Sequence, residues 1–215
     1  MRIRWFGHSC FLLEPDSGHP KILTDPFDDS IGYPIPDVTP DLITESHQHF
    51  DHNAHRFIKG KYKLIKDPGN FEEFGTRITG VVTYHDKSHG SERGKNIVFK
   101  IEFPDEMNVV HLGDLGHILD EKTVRILRPV NILLIPVGGY FTIEPDEAKR
   151  ICEQLKPNVI IPMHYRTKYM NFPIKSVESF LRHFPSNKVK NVDNPVKLSR
   201  EELEKIDFEV WVMRI

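Results

Sequence analysis

The segment TESHQHFDHN, Thr44–Asn53, sets the tightest limit on what this chain can fold into. His47, His49, Asp51 and His52 fall together directly after the apolar-leaning run DLIT. Imidazoles and a carboxylate at the end of a buried strand lose hydration and need partners that replace it. Alternate side chains of an extended chain point the same way, so His47 and His49 present two imidazoles toward one point. Asp51 and His52 follow as the chain turns and can face a second point nearby. Imidazole nitrogens and carboxylate oxygens are good ligands for zinc, manganese or iron, and a cation compensates the carboxylate charge. A hydrated His-rich turn, or histidines satisfied by backbone hydrogen bonds, is the ordinary alternative.

Distant parts of the chain bear on that choice. VVTYH ends an apolar run in His85, VVHLGD ends one in Asp114, and VIIPMH ends one in His164. One such residue would mean little. Three, each at a strand end, favour a metal centre assembled from several strands.

The same runs outline the fold. IRWF and CFLLE, parted by Gly7, suit a hairpin, and KILT and DLIT add two strands around a Pro-rich connector. Asn53 is placed to cap a short helix through AHRFIKG. KYKLI, TRITGVVTYH, NIVFKIEF and NVVHL read as further strands, with an acidic turn at Pro104–Glu106. ILDEKTVRILR, PDEAKRICEQLK and IKSVESFLRHF have helical spacing, and Ser199 with Glu202 forms a capping-box pattern. NILLIPV and NVIIPMH are continuous apolar runs, as in strands covered on both faces, and FEVWVMRI closes the chain as a strand. Two sheets with helices outside, an α/β sandwich in one domain spanning 1–215, is the architecture this order predicts.

Composition removes several function classes. The 215 residues are 39% hydrophobic and 28% charged with a formal net charge of −2, which provides no basic footprint for nucleic acid and no polybasic membrane patch. No run approaches the length of a membrane span, and the N-terminus lacks a cleavable leader pattern. Cys10 and Cys152 are the two cysteines and form no CxxC pattern, which suits free thiols in a reducing cytoplasm. A small-molecule substrate is the expected partner.

HQHFDH, the strand-end His85, the GD of Asp114 and the late His164 together resemble the metallo-β-lactamase superfamily. WFGHSCFLLE, LTDPF, HLGDLGH, PVGGYFT and IPMHY look like the small branch that includes ascorbate-6-phosphate lactonase. The resemblance implies a four-layer αββα sandwich with two mixed β-sheets. It implies that His47, His49 and His85 bind one divalent ion, that Asp51, His52 and His164 bind a second, and that Asp114 bridges them. Two zinc ions are expected, with manganese or iron as alternatives. Asp25 in LTDP matches an acid that orients a ligand histidine; a turn-forming Asp before Pro26 is the plain alternative. His85 directly follows its apolar run and is preferred over His89, His111 and His117. His8, His117 and Tyr140 are candidate substrate-facing residues.

The expected chemistry is metal-dependent hydrolysis, in which a hydroxide between two ions attacks an ester, lactone or phosphoester bond, with Asp51 and Asp114 as the catalytic carboxylates. A di-iron redox protein and a non-catalytic metal-binding protein of the same fold are the alternatives.

Overall fold

Arg2–Gly7 (β1) alternates cleanly, with Ile3, Trp5 and Gly7 buried and Arg2 and Arg4 exposed, as a strand covered on one face must. It pairs antiparallel with Cys10–Glu14 (β2), which sets Trp5 opposite Phe11. The computed structural model describes residues 1–105 and 107–215. The end of the acidic turn, Glu106, lies outside them.

Chain order continues with Ile22–Thr24 (β3), Leu42–Thr44 (β4) and Lys63–Ile65 (β5). Gly69–Glu73 (β6), Thr76–Tyr84 (β7), Lys95–Glu102 (β8) and Asn108–His111 (β9) follow. Then come Glu121–Leu127 (α1), Ile132–Pro136 (β10), Pro145–Leu155 (α2), Val159–Met163 (β11) and Glu178–Leu181 (α3). Val189–Val192 (β12), Val196–Lys197 (β13), Arg200–Glu204 (α4) and Glu209–Met213 (β14) complete the chain.

One sheet runs β13-β1-β2-β3-β4-β5 and the other β12-β14-β11-β10-β9-β8-β7-β6, and both are mixed. Every residue of β10 and β11 is buried and the two pair in parallel, which accounts for their unbroken apolar sequences. Helix α2 packs on β10 and on α1. Ile22 and Leu42 point into the core between the sheets, while their neighbours Leu23 and Ile43 point outward onto Phe27, Ile31 and Tyr33. On that outer face the covering layer is the Pro-rich connector with short 3-10 turns at Asp29–Ile31 and His55–Phe57, not a long helix.

Three local expectations change. The segment after Asn53 makes only that second 3-10 turn, capped at Ala54, because the Asn53 side chain donates to Gln48 O at 3.1 Å instead. IKSVESFLRHF keeps a single regular turn, Glu178–Leu181. The edge strand β6, rich in Gly, Asn and Glu, was not legible as a strand; its pairing with β7 creates it.

Strand direction explains where the polar residues collect. β1 and β3 both run antiparallel to β2, and β4 runs parallel to β3, so β1, β3 and β4 end at one edge. In the second sheet β7 and β9 both oppose β8, and β10 and β11 run parallel to β9. The ends of β1, β3, β4, β7, β9 and β11 deliver His8, Asp25, His47, His85, Asp114 and His164. The two edges are joined where the Ile97 N–H donates to Ser46 O at 2.7 Å.

Candidate metal centre and active-site cavity

Asp114 is the hub. Its Oδ2 lies 3.1 Å from His85 Nε2, 3.3 Å from His164 Nε2 and 3.9 Å from His47 Nε2. Its Oδ1 lies 3.3 Å from His52 Nε2, within ion-pair range but without hydrogen-bond alignment. The backbone holds this hub firmly: the Asp114 N–H donates to Asn96 Oδ1 at 2.9 Å, and Asn96 Nδ2 donates to Leu112 O. Gly113 before it has φ +54°, and a Cβ there would stand 2.4 Å from both Asn96 and Ser46, so only glycine fits.

The ring nitrogens are set by hydrogen bonds on the far side. His52 Nδ1 donates to Asp25 Oδ2 at 2.8 Å. Asp25 also accepts from the Ser46 N–H at 2.7 Å and from Ser46 Oγ at 2.6 Å. That hydroxyl, its proton committed to Asp25, accepts from His47 Nδ1 at 3.0 Å. One carboxylate thus fixes two imidazoles with Nδ1 protonated and the Nε2 lone pair turned inward.

His47 Nε2, His52 Nε2 and Asp114 Oδ1 are buried without a hydrogen-bond partner among the described residues. Orphaned acceptors of this kind are costly unless something cationic meets them. Ligand atoms of His47, His49 and His85 lie within 4.8 Å of one another, as do those of His47, His52 and Asp114, and those of His8, Asp51, His52 and His164. The donor set of imidazoles and carboxylates fits divalent zinc, manganese or iron.

Electrostatics agree with that fit. Burial would raise Asp114, but His164 and His52 pull it well below the usual carboxylate range. Burial would lower His52, but Asp114 and Asp51 hold it well above the ordinary imidazole value, so its inward Nε2 favours positive charge, as a proton or as a metal ion that displaces it. Burial would raise Asp51, yet His52 and His8 bring it down. Burial, reinforced by His52, drives His47 well below its ordinary value. The carboxylates favour positive charge at the point where the Nε2 atoms converge.

The structure brings together all seven sequence-expected ligands, His47, His49, Asp51, His52, His85, Asp114 and His164, with Asp25 behind them. None of the three substrate candidates is among the residues lining the cavity beside them. His8 is fully buried behind Asp51, with Nε2 3.0 Å from Asp51 Oδ2, and burial together with His164 lowers its pKa to about 4. His117 has both ring nitrogens occupied: Nδ1 donates to Ile118 O at 2.8 Å and Nε2 accepts from the Tyr84 N–H at 3.2 Å. Tyr140, at φ +63°, is 60% exposed and packs edge-on against Phe141, with ring centres 4.7 Å apart. Its neighbour Phe141 lines the cavity instead. The rivals of His85 are accounted for as well. His89 is exposed in the following loop, and buried His111 donates through Nε2 to Ser9 O at 2.9 Å.

A cavity of about 550 Å³ opens onto Asp51, His85, Asp114 and His164, walled by Phe50, Phe141 and Phe172. These aromatics, and Arg93 beside them, carried no sequence signal, since they come from loops whose packing is set by the tertiary fold. Asp86 shapes one of those loops by accepting N–H bonds from Ser88, Gly90, Glu92 and Arg93.

Comparison with known proteins places this geometry. Residues 2–164 match the family model described as the beta-lactamase superfamily domain. A UPF0173 metal-dependent hydrolase of Thermoplasma acidophilum is 30% identical over 193 residues, covering 78% of this chain and 84% of the relative. One from Pyrobaculum islandicum is 34% identical, covering 78% and 85%. A crystal structure from Thermotoga maritima, described as a candidate Zn-dependent hydrolase of the metallo-β-lactamase superfamily, is 44% identical. It superposes with a TM-score of 0.83 over 99% of this chain and 97% of that one.

Proposed function

The chain belongs to the β-lactamase superfamily, among its metal-dependent hydrolases, and we propose that it hydrolyses an ester, lactone or phosphoester bond of a small molecule at a two-metal centre. In this reading His47, His49 and His85 would hold one ion, Asp51, His52 and His164 would hold the other, and Asp114 would serve both. The observation that carries it is the convergence of His47 Nε2, His52 Nε2 and Asp114 Oδ1, all buried and all without a hydrogen-bond partner among the described residues. Zinc is the leading ion, supported by the donor chemistry and by the description of the Thermotoga maritima protein.

When bound, the ions supply an activated water at neutral pH and offset negative charge developing on the attacked group. The chain's own residues do the rest. Asp25 and Ser46 keep protons on the outer nitrogens of His52 and His47, so that both rings offer lone pairs inward. His8 Nε2–H donates to Asp51 Oδ2 and fixes that carboxylate. Phe50, Phe141 and Phe172 give the cavity apolar walls that displace water from the reacting group.

No helix among the described residues is long and apolar enough to cross a membrane, and both cysteines are free and buried. The free cysteines support a cytoplasmic setting.

Metal analysis of the purified protein, paired with lactone, thioester, phosphomonoester and phosphodiester substrates, tests the reading. We expect close to two ions per chain and turnover that a chelator removes, zinc or manganese restores, and Asp114→Ala abolishes. Turnover undiminished in that variant, or metal content well below one ion per chain with no gain on adding zinc, manganese or iron, overturns it.

A further inference from the structure

Two cavities share a wall beside the metal-ligand cluster. The one of about 550 Å³ opens onto Asp51 and Asp114. The other, about 420 Å³, lies across His49 and is lined by Lys66, Arg93 and Lys95, with no Asp or Glu among its lining residues. Gln48, His49 and Arg93 line both, so the two spaces are neighbours on either side of the same three side chains.

The three cations come from separate places. Lys66 follows β5, Lys95 begins β8, and Arg93 closes the loop that Asp86 organises. Arg93 is half-buried, with its guanidinium 5.7 Å from the centre of the Phe141 ring. Nearby lysines are paired: Lys87 with Glu147 at 2.6 Å and Lys100 with Glu102 at 3.2 Å. Among the described residues no carboxylate stands within ion-pair distance of Lys66, Arg93 or Lys95. Glu92 lines only the first cavity, where it accepts from Ser88 Oγ at 2.7 Å.

Lys66 and Lys95 are exposed and Arg93 is half-buried, so three positive charges face one concavity whose lining holds no carboxylate, in a chain of net charge −2, and that field draws in an anion. The guanidinium fork matches a carboxylate or phosphate in two parallel hydrogen bonds, and the ammonium groups add point charge. Pro68, Val82 and Ile97 in the same lining give an apolar floor on which a short stem can lie.

We infer that the substrate carries an anionic group, a carboxylate or a phosphate, which binds between Lys66, Arg93 and Lys95 while the bond to be cleaved lies in the adjoining cavity over Asp114. This rests on the hydrolytic reading above, because it is that reading which places the scissile bond. Arg93, common to both spaces, is the residue that sets the selectivity.

Three hydroxamates of equal chain length, ending in a methyl, a carboxylate or a phosphonate, test this by calorimetric titration of the zinc-loaded protein at low salt. The hydroxamate reports the metal centre and the tail reports the cationic cavity. In the wild type an anionic tail is expected to tighten binding about tenfold over the methyl tail, and the better of the two anions identifies the group preferred. Arg93→Gln, and separately the pair Lys66→Gln and Lys95→Gln, should each shrink that advantage to under about threefold. Equal affinity for all three probes in the wild type, or an advantage that survives both variants, overturns the inference and leaves the hydrolytic reading standing. Binding of none of the three overturns the hydrolytic reading, and the inference with it.

Discussion

Asp25 Oδ2 and His52 Nδ1 lie 2.8 Å apart with both side chains fully buried, and this contact decides which nitrogen of His52 faces the centre. Burial would raise the Asp25 pKa, but His111 and His52 bring it below the ordinary carboxylate value, so it stays charged and accepts. Asp25→Asn keeps the size, and Asn tolerates the backbone φ of +39° found here. What it loses is a charged acceptor for His52 and for the Ser46 hydroxyl behind His47. Metal affinity in calorimetric titration should fall roughly 10–100-fold. Wild-type affinity in this variant would return Asp25 to a plain turn residue before Pro26.

His8 and Asp51 form the matching relationship on the other side. With Nε2 donating to Asp51, His8 removes one rotational freedom from a carboxylate proposed to hold the second ion. His8→Ala should weaken metal binding by roughly 10–100-fold. His8→Gln places an N–H near the position of Nε2 and should recover most of the loss. If Gln and Ala behave alike, the hydrogen bond is not what His8 contributes.

Much of this centre was legible because ligand chemistry is concentrated where apolar runs stop. His47, His85, Asp114 and His164 each end a strand, and strand direction alone sends those ends to one edge. Strands β10 and β11 were equally plain, since complete burial leaves an unbroken apolar sequence. The cavity walls were not, because Phe50, Phe141 and Phe172 look like any loop aromatics until three separate loops converge. His8 and His117 sit beside strand ends just as the candidate ligands do. Their hydrogen bonds, to Asp51 for one and to the backbone for the other, are made by the tertiary fold and leave no trace in the sequence.

Gly116 and His85 give a prediction about stability. A Cβ at Gly116 would stand 2.3 Å from the His85 carbonyl carbon and 2.4 Å from the Asp86 nitrogen, both backbone atoms that cannot step aside cheaply. The Gly116 N–H meanwhile donates to Tyr84 O at 2.9 Å and holds the two segments together. Gly116→Ala should destabilise the fold by about 1–3 kcal/mol, as overpacking does. It should also weaken metal binding by displacing His85. Denaturant unfolding and metal titration check the two parts, and unaltered stability would mean the segments separate more easily than their contacts imply.

The loop after His85 supplies the pH prediction. Burial would raise Asp86, but backbone N–H groups of Arg93, Gly90, Ser88 and Glu92 lower it to about 2. An unfolded carboxylate titrates near ~3.9, so the folded state binds its proton less readily. The stabilising contribution is therefore complete above about pH 4 and is lost as pH falls through about 2. Asp86→Asn leaves one carbonyl oxygen, which can serve the Ser88 and Gly90 pair or the Glu92 and Arg93 pair but not both. The wild type should melt above the variant at neutral pH, with a gap that holds down to about pH 5 and closes below about pH 4. Amide exchange in the variant should rise at one of these two pairs more than at the other, because only one pair keeps an acceptor. A melting gap independent of pH would mean that these bonds do not depend on the carboxylate's charge.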